Sequence, residues 1–263
     1  MKIFHSILLL LLGTLLFSGC DSSNDSEFGT LRVLLTDAPG NYEAVYIDIR
    51  EVRIHKSSNA DDGDSGWITI NTQPIIVDLL ELTNGKYEIL GEVDLESGRY
   101  NQLRLVLGDQ NEVVISGASH ELTTPSAQQS GLKLNINAEI KGGDMYTLLL
   151  DFDASRSIVR AGQSGIYILK PVINTARLEL SGSIEGNMAP AEALPWVYAI
   201  AGADTVRGTR AAESGDFLLI GLISGTYQVA INPSEGDYPQ KVIPEVVVNA
   251  PETTNVGTVN LNE

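Results

Sequence analysis

Cys20 is the only cysteine among 263 residues, so no disulfide can form within the chain and its folds must stand on burial alone. Histidine is nearly as scarce. His5 sits in the amino-terminal apolar stretch, and His55 and His120 lie far apart in sequence. A His/Cys zinc site is therefore excluded, and a Ser-His-Asp site has no support. Positive charge is thin: 17 Lys and Arg against 34 Asp and Glu leave a formal net charge of −17. Such a surface repels polyanions and excludes nucleic-acid binding. No Gly-x-Ser-x-Gly elbow, phosphate loop or dinucleotide fingerprint occurs, and Gly162-Gln163-Ser164-Gly165 reads as a turn. Long apolar runs are missing too. Ile7 to Leu16, interrupted by Gly13 and Thr14, falls short of the roughly 20 residues that a membrane-crossing helix needs. No stretch after it carries a helical period over ten or more residues. The expectation is a protein that is not an enzyme and uses no cofactor and no metal.

What is present begins with location. Lys2, the apolar run, and then Phe17-Ser18-Gly19-Cys20 have the layout of a secretory signal peptide. A cysteine at the cut resembles a bacterial lipobox, although Phe17 stands where lipoboxes usually carry Leu. The resemblance implies a signal peptide over 1–19, a lipidated linker over 20–27 and a membrane anchor of acyl chains (palmitate among them) on Cys20. Three chains suffice, since each buried methylene contributes about 0.8 kcal/mol. The expected place is the bacterial cell envelope, at the outer membrane on its periplasmic or exposed face. Removing Lys2 with the signal takes the net charge from −17 to −18.

Residues 28–177 read as strand after strand. Leu31, Val33 and Leu35 alternate with polar neighbours, as do Val45, Ile47 and Ile49, after which the parity switches to Val52 and Ile54 and predicts a β-bulge near Glu51. Asp78 is placed to cap one helical turn, and Asn84-Gly85 to form a tight turn. Leu132 to Ile140 is the cleanest period-two run. In Tyr146 to Ala154, Leu148, Leu150 and Phe152 share one face while Leu149, Asp151 and Asp153 share the other. Leu35-Thr36-Asp37-Ala38-Pro39-Gly40, Ser130-Gly131-Leu132-Lys133-Leu134, Leu150-Asp151-Phe152-Asp153-Ala154 and Leu169-Lys170-Pro171-Val172-Ile173 together resemble the bacterial family known as domain of unknown function (DUF) 4382. That resemblance implies a β-rich domain in an exported lipoprotein, and no activity.

Residues 178–263 form a second unit. Leu178 and Leu180 are expected to open a strand, and Trp196 to Ile200 to form another. Phe217 and Leu219 are expected to face a returning partner strand of Tyr227, Val229 and Ile231, with Gly225 shaping the turn. Ser214-Gly215-Asp216-Phe217 followed by Gly225-Thr226-Tyr227 resembles the carboxypeptidase regulatory-like domain, a small transthyretin-like sandwich with a carbohydrate-binding-like fold. The fold class is thus all-β, two β-sandwich domains behind a cleaved lipoprotein signal peptide.

The candidate ligand-binding residues are few. Asp151 and Asp153, two apart on one strand, lie about 6.6–6.8 Å apart at Cα, a spacing open to a cation or to acid–base work, against the plainer readings of a solvated face or a hydrogen-bonded pair closing a strand end. Lys170, Arg156 or Arg160 would neutralise them. Asp61, Asp62 and Asp64 imitate part of a calcium loop, but Gly66 falls one position early and an exposed acidic turn fits better. Trp196 and Tyr198 point the same way along one strand and offer a stacking platform for a sugar or protein, unless they serve the core. The function expected is a non-catalytic binding or adhesion surface; a glycan-binding or glycan-processing accessory and a structural spacer are the alternatives. The partners expected are the membrane, through the lipid, and a glycan or protein ligand.

Overall fold

The computed structural model describes residues 27–38, 40–61, 63–71, 73–124 and 131–262. The stretch 1–19 expected to be a signal peptide, Cys20 as the expected lipidation site, Asp62 and Ser130 lie outside the described residues. Strand makes up 62% of the protein against 6% helix, which settles the all-β class.

The first domain packs two sheets. Four strands form one of them, in the order β13 (Ile173–Arg177), β10 (Met145–Asp153), β1 (Phe28–Ala38), β5 (Glu88–Glu96). Within it β1 and β10 run parallel, with Leu35 opposite Leu150. The other sheet has nine strands. Its path is β11 (Ile158–Arg160), β12 (Tyr167–Leu169), β8 (Ala118–Thr123), β7 (Glu112–Ile115), β2 (Ala44–His55), β6 (Gly98–Leu107), β9 (Leu132–Ile140). Two short strands, β3 (Ile68–Asn71) and β4 (Ile75–Asp78), also pair with β2. Alternate residues of β1, β2, β6 and β10 point into one core, where Leu31, Val33, Leu35, Ile47, Leu103, Leu150 and Phe152 are fully buried. The parity switch in β2 is a bulge: its register against β6 shifts between Ile49 and Glu51, so Ile49 and Val52 are both buried. Asp78 caps the single turn Leu79–Glu81 by accepting from Leu80 N at 3.1 Å.

The second domain is a smaller sandwich. Three strands, β17 (Asp216–Leu222), β14 (Gly182–Ala189) and β20 (Thr253–Asn260), face four, in the order β16 (Asp204–Arg210), β15 (Trp196–Ala201), β18 (Gly225–Asn232), β19 (Lys241–Val248). Two expectations are corrected. Leu178 and Leu180 belong to a 3-10 turn, not a strand; the turn is held by Glu179, whose carboxylate accepts from Thr147 N at 2.8 Å. And β17 does not pair with β18. Phe217 and Leu219 meet Tyr227, Val229 and Ile231 across the core from the opposite sheet, and the left-handed glycine before the crossing is Gly221 (φ 76°) rather than Gly225.

The four-stranded sheet of the first domain is covered on both faces. Leu34, Thr36, Leu149 and Asp151 point away from the core, yet none is more than 5% exposed. Strands β16 and β17 of the second domain lie against that outer face. A sheet buried on both sides carries apolar residues at both parities, which is what Leu34-Leu35 and Leu148-Leu149-Leu150 show.

Candidate functional site

The junction between the domains is built from the outer face of β10. Asp151 is 1% exposed, and its carboxylate lies 3.3 Å from the guanidinium of Arg207, which β16 carries in from the second domain. Burial pushes the Asp151 carboxyl up to about 6. Arg207 and a hydrogen bond from Asn174 work against that rise, while Asp153 adds to it. Asp37, at the end of β1, is raised well above the ordinary carboxylate range, first by burial; the N–H of Ala154, which donates to it at 3.1 Å, opposes the rise. Three further contacts close the seam. Asn84 N–H donates to Thr209 Oγ1 at 2.7 Å, and Asn84 Nδ2 donates to the Asp216 carbonyl at 3.2 Å. Asn84 and Gly85 both have positive φ, 58° and 78°, the backbone of a tight turn, and a Cβ on Gly85 would stand 2.6 Å from Leu218 Cδ2. Gly221 is equally constrained, since a Cβ there would stand 2.8 Å from Leu149 Cδ2.

Beside this seam, on β16 and its neighbour β15, opens a groove of about 640 Å³ between the domains. Tyr42, Glu43 and Glu81 line it from the first domain, and Trp196, Arg210 and Glu235 from the second. Trp196 and Arg210 are register partners on β15 and β16, so their side chains project from the same face, and the Arg210 guanidinium carbon sits 4.8 Å from the Trp196 ring centre. Both are half-buried. An aromatic and a cation side by side, with polar groups around them, make a surface able to hold a ligand and orient it.

The sequence-derived candidates divide between these two places. Trp196 lines the groove. Tyr198, two residues on, is directed at the seam: it is paired with Gly208, where a Cβ would stand 3.1 Å from the Tyr198 ring and 3.5 Å from Ala38 Cβ. Its phenol is raised by burial and then by the negative charge of Asp153. Asp151 and Asp153 do share a face, but that face is covered rather than solvated. Asp153 is the cap of the short helix α1 (Ala154–Ser157), accepting from Arg156 N at 2.9 Å and from Ser155 Oγ at 2.6 Å. Arg156 lies near it at 3.8 Å, whereas Asp151 finds Arg207, not Lys170 or Arg160. Trp67 folds back over the acidic loop, its indole N–H donating to the Asp61 carbonyl at 2.8 Å and its ring 4.9 Å from buried Arg104. In that loop Asp61 pairs with Lys133 and bonds to Asp64, and among the described residues no cluster of His, Cys, Asp and Glu is arranged to hold a metal ion. Arg207, Arg210 and Asn84 were not read as functional. The signal for Arg207 was the apolar Leu149 beside Asp151, which marks the strand as buried on both faces and so in need of a cation.

The family model for the domain of unknown function DUF4382 matches residues 28–171. No curated protein matches the chain. Among solved structures it is similar to the TIE protein of Bacillus anthracis, at 12% identity over 89% of this chain with a TM-score of 0.23; the chain spans about a third of that protein's length, 34%. It is similar to GBS52, the minor pilin of Streptococcus agalactiae, at 12% identity over 87% of this chain and 94% of that one, with a TM-score of 0.22. A fimbrial protein from Bacteroides ovatus matches at 12% identity over 90% of this chain and 51% of that one, also with a TM-score of 0.22. Scores this low establish neither a shared architecture nor a shared role. No helix among the described residues is long and apolar enough to cross a membrane.

Proposed function

The chain belongs to the DUF4382 family, and from that premise we propose that it is a non-catalytic binding protein of the bacterial cell envelope, tethered through Cys20, whose adhesive surface is the groove between its two domains. The second domain, in this reading, is a carboxypeptidase regulatory-like module that supplies one wall. The observation that carries the proposal is the division of labour at the junction. Asp151 and Asp153, the carboxylates best spaced for chemistry, are engaged by Arg207 and by the first turn of α1, while the groove beside them keeps Trp196 and Arg210 open to a ligand. A rigid seam with an aromatic-lined cleft next to it is suited to binding and not to proton transfer.

The test uses the whole protein in its own cells. Wild type, Cys20→Ala and Trp196→Ala are compared by fractionation, protease shaving and retention of envelope or neighbouring-cell material. Cys20→Ala is expected to leave the membrane fraction, and Trp196→Ala to stay anchored but retain less. A membrane-bound Cys20→Ala would remove the tether from this account. Rapid turnover of an envelope polymer by the purified protein would remove the non-catalytic part.

A further inference from the structure

Arg210 is the basic side chain among the residues that line the groove. In a chain with twice as many acids as bases, Arg32, Arg50, Arg53, Arg177 and Arg207 each hold a carboxylate within 3.3 Å. Arg210 holds none among the described residues, although Glu43, Glu81 and Glu235 line the same groove. Among the described residues its Nε is buried without a hydrogen-bond partner, and its guanidinium lies against the face of Trp196. Three of the four neighbouring acids are engaged elsewhere. Both Glu43 oxygens accept from Gly117 N, at 3.1 and 3.0 Å; Asp78 accepts from Val45 N and Leu80 N; Glu81 sits 3.9 Å from Lys86. A planar guanidinium fixed on an aromatic ring presents a two-toothed donor fork, the geometry that a carboxylate matches.

We propose that the groove binds a carboxylate-bearing saccharide, its carboxylate on the guanidinium of Arg210 and its sugar ring against Trp196. The proposal rests on the binding role given above and names its ligand. A single negative charge per sugar fits better than a phosphate, because Glu43, Glu81 and Glu235 stand around the site and repel a dianion about twice as strongly as a monoanion. The Glu235 carboxylate, which holds no hydrogen-bond or ion-pair partner among the described residues, accepts hydrogen bonds from hydroxyls, which a polyol supplies and an apolar acid does not. A net charge of −17 opposes the approach of any acidic polymer at long range, but that repulsion is screened beyond about 8 Å at physiological salt, inside which Arg210 is the basic side chain of the groove's lining.

The probe is a glucuronate-containing oligosaccharide, with its methyl ester and the corresponding neutral glucose oligosaccharide as controls. Binding to the full chain in detergent is followed by calorimetry and Trp fluorescence. The free acid is expected to bind, with the ester and the neutral sugar at least tenfold weaker, and Arg210→Gln is expected to lose that preference with an unchanged unfolding midpoint. Arg210→Lys, which keeps the charge but not the fork, should recover only part of it. Equal binding of acid, ester and neutral sugar would overturn the role of Arg210 while leaving a glycan-binding groove. Binding of none of them, with retention of envelope material still dependent on Trp196, would overturn the saccharide and point to a protein carboxylate. Loss of both would take the binding groove with it.

Discussion

Replacing Arg207 by Met leaves Asp151 buried without its cation, and the consequence should depend on pH in a way the structure sets. The Asp151 carboxyl is raised from 3.8 to about 6 with Arg207 in place. Its folded value lies above its unfolded one, so its contribution to stability is fully present below pH 3.8 and is lost as pH rises through 6. In Arg207→Met the folded value climbs further, and the carboxyl escapes by keeping its proton. What the substitution removes is then the advantage of the ionised form over the protonated one. That advantage is about 1–2 kcal/mol at pH 7, about a unit above the folded value, and about twice that at pH 8, and it is nearly absent at pH 5. A pH-independent loss from the removed packing, about 1 kcal/mol, lies beneath it. Urea or thermal unfolding of wild type, Arg207→Met, Asp151→Asn and the double variant at pH 5, 7 and 8 measures this directly. The coupling between the two positions should grow with pH and vanish at pH 5. An Arg207→Met penalty equal at pH 5 and pH 8 would show that the pair is not what holds the seam.

Other consequences are simpler. Gly221→Ala combines a positive φ of 76° with a methyl 2.8 Å from Leu149 Cδ2, and should lower stability by about 1–3 kcal/mol in denaturant titration. Asp153→Ala removes the cap of α1 and should lower stability by about 1 kcal/mol. It should also let the Tyr198 phenol titrate at lower pH in a UV titration of the folded protein, since the Asp153 charge is part of what raises it.

How far the sequence carried the reader depends on which neighbour decides each residue. The β2 bulge, the Asp78 cap and the Asn84-Gly85 turn were legible because each is decided within a few residues of chain. The leucines of β1 and β10 were legible because alternation reports which face meets the core. The pairing of β17 with β18 was misread because two adjacent apolar strands look the same whether they hydrogen-bond side by side or face each other across a sandwich. Leu178 and Leu180 were misread because an i, i+2 pair of leucines needs only one turn, not a strand, when a carboxylate such as Glu179 holds it. Asp151 and Asp153 were placed on the correct face, but what covers that face, Tyr198 and Arg207 among it, comes from far later in the chain. No local pattern names Arg207 as the partner, although Leu34 and Leu149 on the same side mark the face as buried.

The seam and the groove share their supports, and this links the two halves of the account. Arg207 and Arg210 lie three residues apart on β16; one is inserted into the seam and the other stands in the groove beside Trp196. The groove's other wall, Tyr42, Glu43 and Glu81, belongs wholly to the first domain. A ligand touching both walls is bound well only while the domains stay docked, because fixing them afterwards takes its toll on the binding free energy. Arg207→Met should therefore weaken binding in the groove without touching the ligand, more at pH 8 than at pH 5, in step with its effect on stability. Arg210→Gln should weaken binding equally at both pH values and leave the unfolding midpoint in place. If Arg207→Met binds as wild type at pH 8 while its stability falls, the two walls do not act together, and the ligand is held by the second domain alone.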